Sequence, residues 1–243
     1  MRYRNRSDAG HELARHLSEY EGRPDVLVLG LARGGVPVAA AVASRLGAPL
    51  DVFLVRKLGV PGHPELAMGA IAEGGIKVLS HWLIEELAIP HALINEVAVR
   101  ERLQLDRHDA LFRSGRPRLP ASARTVIVVD DGLATGATMQ ATIAALRAQK
   151  PARIVVAAPV GARETCERLA AIADQVVCPQ VPEPFTAVGR WYDTFDQTTD
   201  DEVRLLLATS RSSARRPGTQ PRSPERIRPF CEEVRHATVR RSP

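Results

Sequence analysis

Cysteine, lysine and aromatic side chains are scarce in this chain. Of its 243 residues only three are cysteines, Cys166, Cys178 and Cys231, and none of them shows C-x-x-C spacing. An odd, unpaired set argues against a disulfide framework or a zinc site and suits a reducing compartment. No apolar run approaches the roughly 20 residues of a membrane-spanning helix. Met1-Arg2-Tyr3-Arg4 leads into a charged segment rather than the apolar core of a signal peptide. Neither a Gly-Lys-Ser/Thr loop nor a G-x-G-x-x-G fingerprint occurs, so the two common nucleotide-cradling glycine loops are absent. These absences lead to the expectation of a cytoplasmic enzyme or binding protein with no membrane contact.

What is present is ordinary in bulk and uneven in distribution. Hydrophobic residues make up 44% and charged residues 25%, the balance of a soluble globular protein long enough for one full core. The net charge is +5, yet residues 209–243 carry nine Arg against three Glu, leaving residues 1–208 at −1. The folded part is therefore not a basic nucleic-acid binder, and any contact with nucleic acid would fall to the Arg-rich tail. That tail is rich in Ser, Pro, Gly and Arg without apolar period, and is expected to be disordered.

Along the rest of the chain, strands and helices alternate. Val26–Leu29, Pro49–Val55, Thr125–Val129, Ile154–Ala158 and Gln175–Cys178 read as buried strands. Between them lie helical patterns: one capped at Ser7-Asp8, then Val36–Leu46, Thr138–Gln149 and Glu164–Ala173. Leu66–Leu79 reads as a hairpin turning at Glu73-Gly74-Gly75, and Trp82–Phe112 as helix broken near Pro90. The alternation predicts a parallel sheet with right-handed crossovers, whose ligands bind beyond the carboxyl ends of the strands.

Four strand ends therefore matter. The third strand ends in Asp130-Asp131 and turns through Gly132–Thr138 into a helix. Amides at a helix start, with the Thr135 and Thr138 hydroxyls, suit a phosphate monoester. Two acids beside a phosphate require neutral hydroxyls or a cation to face, which a ribose ring and magnesium would supply. The first strand ends in Gly30-Leu31-Ala32-Arg33-Gly34-Gly35, a cation among glycines where backbone can approach an anion. The second gives Arg56-Lys57 and His63, where a solvated cationic turn is the alternative, and the last gives the aromatic stretch Pro182–Phe195.

The run Val126-Ile-Val-Val-Asp-Asp-Gly-Leu-Ala-Thr-Gly-Ala-Thr138 resembles the phosphoribosyl pyrophosphate (PRPP) motif of type I phosphoribosyltransferases. The resemblance implies an α/β fold: a Rossmann-like parallel sheet with helices on both faces, a flap hairpin, a small irregular hood and a disordered tail. The domain would span residues 5–205, with flap and helical insertion at about 56–115 and hood at about 181–196, leaving 209–243 as the tail. It implies PRPP binding through Ala32, Arg33, Gly34, Asp130, Asp131, Ala134, Thr135, Gly136, Ala137 and Thr138. A non-proline cis peptide at Ala32–Arg33 belongs to the same expectation. Arg33, Arg56, Lys57 and Asp131 are assigned to catalysis, with His63 beside the diphosphate. Asp130 and Asp131 are assigned to Mg2+, itself held mainly through PRPP. Phe185 is assigned to a small-molecule acceptor, although Trp191 and Tyr192 read equally well as packing for the hood.

The activity implied is transfer of the 5-phosphoribosyl group to a nucleobase-like acceptor with release of diphosphate, in a homodimer. Hypoxanthine–guanine members carry a third acid where this chain has Ala134, which weakens that acceptor class. A PRPP- or nucleotide-sensing regulator on the same fold is the alternative. A metal-dependent phosphatase is disfavoured, because no histidine cluster accompanies the two aspartates.

Overall fold

The computed structural model describes residues 2–214, apart from the side chains of residues 64, 65 and 211–214. In chain order the elements are α1 (Arg6–Arg15), β1 (Val26–Leu31), α2 (Gly35–Leu46), β2 (Leu50–Phe53), β3 (Val55–Val60), β4 (His63–Ala72) and β5 (Lys77–Leu79). There follow α3 (His81–Glu86), α4 (His91–Arg113), β6 (Thr125–Val129), α5 (Ala137–Ala148), β7 (Arg153–Ala157), α6 (Arg163–Ala170), β8 (Gln175–Val177) and α7 (Asp200–Ala214).

Five strands form a parallel sheet in the order β2-β1-β6-β7-β8. Their continuous apolar runs are explained by cover on both faces, since alternate residues of a strand point to opposite sides. Val26, Val28, Ile127 and Val129 pack with residues of α1, α2, α4 and α7. Leu27, Leu29, Val126 and Val128 pack with α5 and α6 on the other face. Where α1 crosses α2, a Cβ on Gly10 would lie 2.6 Å from the Val38 carbonyl, so the two helices meet backbone to backbone.

Three sequence expectations change. Helix α1 begins at Arg6 and is capped by Asn5, whose side chain accepts from the Asp8 N–H at 2.9 Å, rather than by Ser7-Asp8. The second core strand ends at Phe53, and Val55 opens a separate antiparallel sheet, β3-β4-β5. The expected hairpin is only its β4–β5 half; β3 was hidden because Arg56-Lys57-Leu58-Gly59 shows no apolar alternation. Helix α7 is also new. Its Val203 and Leu207 are buried against the sheet-facing core, and it runs through Thr209–Ala214 of the stretch expected to be disordered. The remaining Arg-rich tail, residues 215–243, lies outside the described residues. Among the described residues no helix is long and apolar enough to cross a membrane.

The inserted sheet and α4 are fastened to the parallel sheet by a buried ion cluster. The Arg113 side chain, 3% exposed at the end of α4, donates from Nη2 to Glu73 Oε2 at 2.9 Å and to the Val52 carbonyl at 2.6 Å. Its Nε lies 3.4 Å from Asp51 Oδ1, and Nη1 meets Asp109. Asp51 accepts the Leu119 N–H at 3.0 Å, and Glu73 accepts the Leu54 N–H at 3.3 Å. One guanidinium thus links β2, the turn after β4 and the end of α4. Burial pushes the Glu73 carboxyl up from 4.5 to about 7, with the Arg113 charge opposing it.

Replacing Arg113 with Met should lower stability by about 3–5 kcal/mol, because two buried acids lose their counter-charge. Urea unfolding checks this, and a loss below about 1 kcal/mol contradicts the buried cluster. Since the Glu73 value is raised on folding, its stabilising contribution is complete below 4.5 and lost as pH climbs through about 7. Melting temperatures measured across that range should therefore fall more steeply with rising pH in the wild type than in Glu73→Gln; parallel curves contradict the shift.

Candidate functional site

The order of the parallel sheet reverses between β1 and β6, because β1 continues into α2 on one face and β6 into α5 on the other. The loops leaving these neighbouring strands open a crevice at their carboxyl ends. Register pairs Gly30 with Val129, so Ala32–Gly34 and Asp130–Asp131 come out side by side. A Cβ on Gly34 would lie 2.1 Å from Asp131 Oδ2, and one on Gly35 would lie 2.5 Å from the Val129 carbonyl. The glycines of the first turn are therefore required by the acids of the second. The Ala32–Arg33 peptide bond is cis, as the resemblance implied.

Asp131 is held from three sides. Its Oδ2 accepts from Arg6 Nε at 2.8 Å, with side-chain exposures of 16% and 12% for the two partners. Its backbone carbonyl accepts from the Tyr192 hydroxyl at 2.6 Å, and its N–H donates to Asp130 Oδ1 at 2.9 Å. Asp130 has no ion-pair partner among the described residues. Burial, then the neighbouring Asp131 charge, pushes the Asp130 carboxyl well up; burial also raises Asp131, against the pull of Arg6. Two acids share one cation, so the pair is short of positive charge and suited to hydroxyl donors or a further cation.

The loop after the acids is gripped from behind. Thr165 Oγ1 of α6 donates to the Ala134 carbonyl at 2.6 Å, and Arg168 Nη2 donates to the Thr135 carbonyl at 2.9 Å. Gly136 caps α5 at φ +72°, with Thr165 Cγ2 only 2.6 Å from where its Cβ would sit. Among the described residues nothing accepts the N–H groups of Thr135, Gly136, Ala137 and Thr138. Free amides at the start of a twelve-residue helix attract an anion through both hydrogen bonds and the helix dipole.

The expected cations line adjoining cavities. Arg33 Nη1 lies 3.4 Å from Asp200 Oδ1 at the start of α7. Arg33 and Arg56 line one cavity of about 220 Å3 with Ala32, and Arg56 also pairs with Glu101 of α4 at 3.0 Å. Lys57 lines a groove of about 360 Å3 with Ala137 and Thr138, and shares with Arg56 a cavity of about 660 Å3 against α4. His63 is exposed where β4 begins opposite Val60.

The irregular stretch after β8 folds back as the hood. Tyr3 pairs with Tyr192, and Tyr3, Ala9, Val160 and Tyr192 form its own small core. Between hood and sheet edge lies a cleft of about 420 Å3, lined by Arg6, Arg33, Gly34, Asp131, Val188, Phe195, Gln197 and Thr198. Phe185 does not line this cleft; it packs on the hood core, and the aromatic at the cleft is Phe195. Packing also accounts for Trp191 and Tyr192, which belong to the same hood cluster. Arg6 was missed in the sequence, where it is one of several N-terminal arginines. Only the fold shows its guanidinium lying 3.9 Å over the Phe195 ring with Nη1 donating to the Asp196 carbonyl at 2.6 Å.

A parallel α/β sheet with an acidic switch point and a free-amide helix start defines the class of protein. Comparison with known proteins then places it within that class. The phosphoribosyl transferase domain matches residues 3–190, and the chain belongs to the type I phosphoribosyltransferase family. It is 46% identical over 203 residues to "Putative phosphoribosyl transferase Rv0571c" of Mycobacterium tuberculosis H37Rv, a match covering 84% of this chain. The same figures hold for "Putative phosphoribosyl transferase MT0597" of strain CDC 1551, and the match spans only 46% of the length of each relative. The crystal structure of TT1426 from Thermus thermophilus is 44% identical, with a TM-score of 0.78 over 86% of this chain and 99% of that one.

Arg6→Met should cost about 3 kcal/mol, since it strips Asp131 of its cation in a largely buried setting. Chemical denaturation reads the loss, and Arg6→Lys should recover only part of it, because an ammonium cannot make the two bonds and the ring contact together. Full recovery by Lys contradicts the assigned geometry.

Proposed function

We propose that this protein is a magnesium-dependent phosphoribosyltransferase that moves the 5-phosphoribosyl group of PRPP to a planar acceptor and releases diphosphate. The observation that carries the reading is the Asp130–Asp131 pair set beside the free amides of Thr135–Thr138. On this reading the carboxylates accept from the ribose hydroxyls, while the amides and the Thr135 and Thr138 hydroxyls hold the 5-phosphate. Arg33, at the cis turn, and Arg56 across the small cavity neutralise the diphosphate; Lys57 approaches from the α5 side. The acceptor enters the hood cleft, whose wall includes the stacked Arg6 guanidinium and Phe195 ring rather than Phe185.

Chemistry of this kind demands positioning and charge stabilisation rather than a protein nucleophile, because the departing diphosphate leaves a cation-like sugar carbon. The residues present fit a magnesium ion that takes most of its ligands from the substrate. Among the described residues no group of three His, Cys, Asp or Glu side chains could enclose a metal, whereas Asp130 and Asp131 supply hard oxygen donors that such an ion favours. Magnesium would supply Lewis-acid neutralisation of the diphosphate oxygens.

Diphosphate release from PRPP and Mg2+, measured against nucleobases, orotate, nicotinate and small amines, tests the proposal. One acceptor should turn over, and Asp130→Asn with Asp131→Asn should lower kcat/KM by at least about 100-fold. Tight PRPP binding with no turnover on any acceptor would instead favour the sensor reading.

A further inference from the structure

Cys166 and Cys178 take no part in the proposed transfer, yet the fold brings them together. Cys166 lies in the first turn of α6, and Cys178 directly follows β8. Gly161, between β7 and α6, is the point at which they meet. A Cβ there would lie 2.9 Å from Cys166 Sγ and 3.0 Å from Cys178 Sγ, so both sulfurs border one glycine-sized gap. Both are free thiols and both are only partly buried, which leaves them open to a small reagent. Each is the chief influence on the other's ionisation: contact with Cys178 holds the Cys166 thiol below its ordinary range, and the Cys178 thiol is pushed up. Two neighbouring thiols, one of them eased toward its thiolate, favour thiol–disulfide exchange.

Their position behind the phosphate-type loop gives the pair a consequence. Thr165, adjacent to Cys166, holds the Ala134 carbonyl at 2.6 Å, and Arg168 on the same helix holds the Thr135 carbonyl at 2.9 Å. Leu133 pairs with Gly161 itself. A bond from Cys166 to Cys178 would draw the first turn of α6 toward the end of β8 and move the Thr165 hydroxyl against the loop it supports.

We propose that Cys166 and Cys178 form a dithiol modification site that closes to a disulfide by exchange with a small-molecule disulfide, resetting the loop Ala134–Thr138 from behind. The Cys166 thiolate attacks one sulfur of the reagent, whose S–S bond breaks and releases one thiolate. Cys178, giving up its proton, then attacks the Cys166 sulfur of the mixed disulfide and releases the second. The protein loses two electrons and two protons, and the reagent leaves as two thiols. The effect on the loop rests on the phosphoribosyltransferase reading; the disulfide itself does not.

The full-length chain carrying Cys231→Ser, treated with oxidised glutathione, tests both parts. Peptide mapping should recover Cys166 linked to Cys178, reversed by dithiothreitol. Cys178→Ala in the same background should stop at glutathione bound to Cys166, and Cys166→Ala should show markedly slower labelling. Glutathione retained on either thiol of the two-thiol protein, or no reaction at all, overturns the site. Calorimetric titration with PRPP and Mg2+ should then give dissociation constants at least threefold apart for the reduced and disulfide forms. Equal constants overturn the link to the loop. If the reduced form fails to bind PRPP, the reading under Proposed function falls while the mapped disulfide stands.

Discussion

The site depends on a single close approach, that of Gly34 to Asp131. The carboxylate oxygen of one strand-end loop occupies the space a side chain would need on the other, 2.1 Å from the position of the missing Cβ. Parallel pairing of β1 with β6 puts the two loops within reach, and helices departing to opposite faces leave the crevice between them open. Any residue larger than glycine at position 34 would push the acids away from the cis turn that carries Arg33. Backbone sterics, more than any attractive contact, fix the geometry in which the charged groups meet.

Long-range contacts then close the site from its edges. Arg6 reaches from α1 to Asp131 and lies over Phe195, so the first helix, the acidic pair and the hood share one guanidinium. Arg113 performs a comparable task on the other side, joining the inserted sheet to β2 through buried acids. Both arginines bind segments far apart in sequence, and both are mostly buried, where a fork of donors satisfies several oxygens at once. The loop Ala134–Thr138 is supported in the same manner by Thr165 and Arg168, which hold its Ala134 and Thr135 carbonyls from α6.

The parallel sheet and the family were legible in the sequence because the signals for both are local. Five apolar runs marked the core strands, and Asp130-Asp131 with the following small residues marked the edge; the family match agrees with that motif. Strand β3 was illegible, since two adjacent cations and a glycine carry no apolar period, and α7 was hidden by the polar sequence that follows it. Arg6 could not be singled out, because its role arises from a contact 125 residues away. Phe185 and Phe195 illustrate the same limit: composition marked an aromatic stretch, and both rings pack on the hood core, but only the fold shows that Phe195 also borders the cleft.

A crystal structure of the protein soaked with ribose 5-phosphate would test the central claim most directly, because this ligand engages the sugar and phosphate subsites without diphosphate or acceptor. The account predicts its two ring hydroxyls on the Asp130 and Asp131 carboxylates and its phosphate on the backbone amides of Thr135–Thr138. A sugar phosphate bound elsewhere, or one whose phosphate lies on Arg56 and Lys57 while those amides keep water, would contradict it.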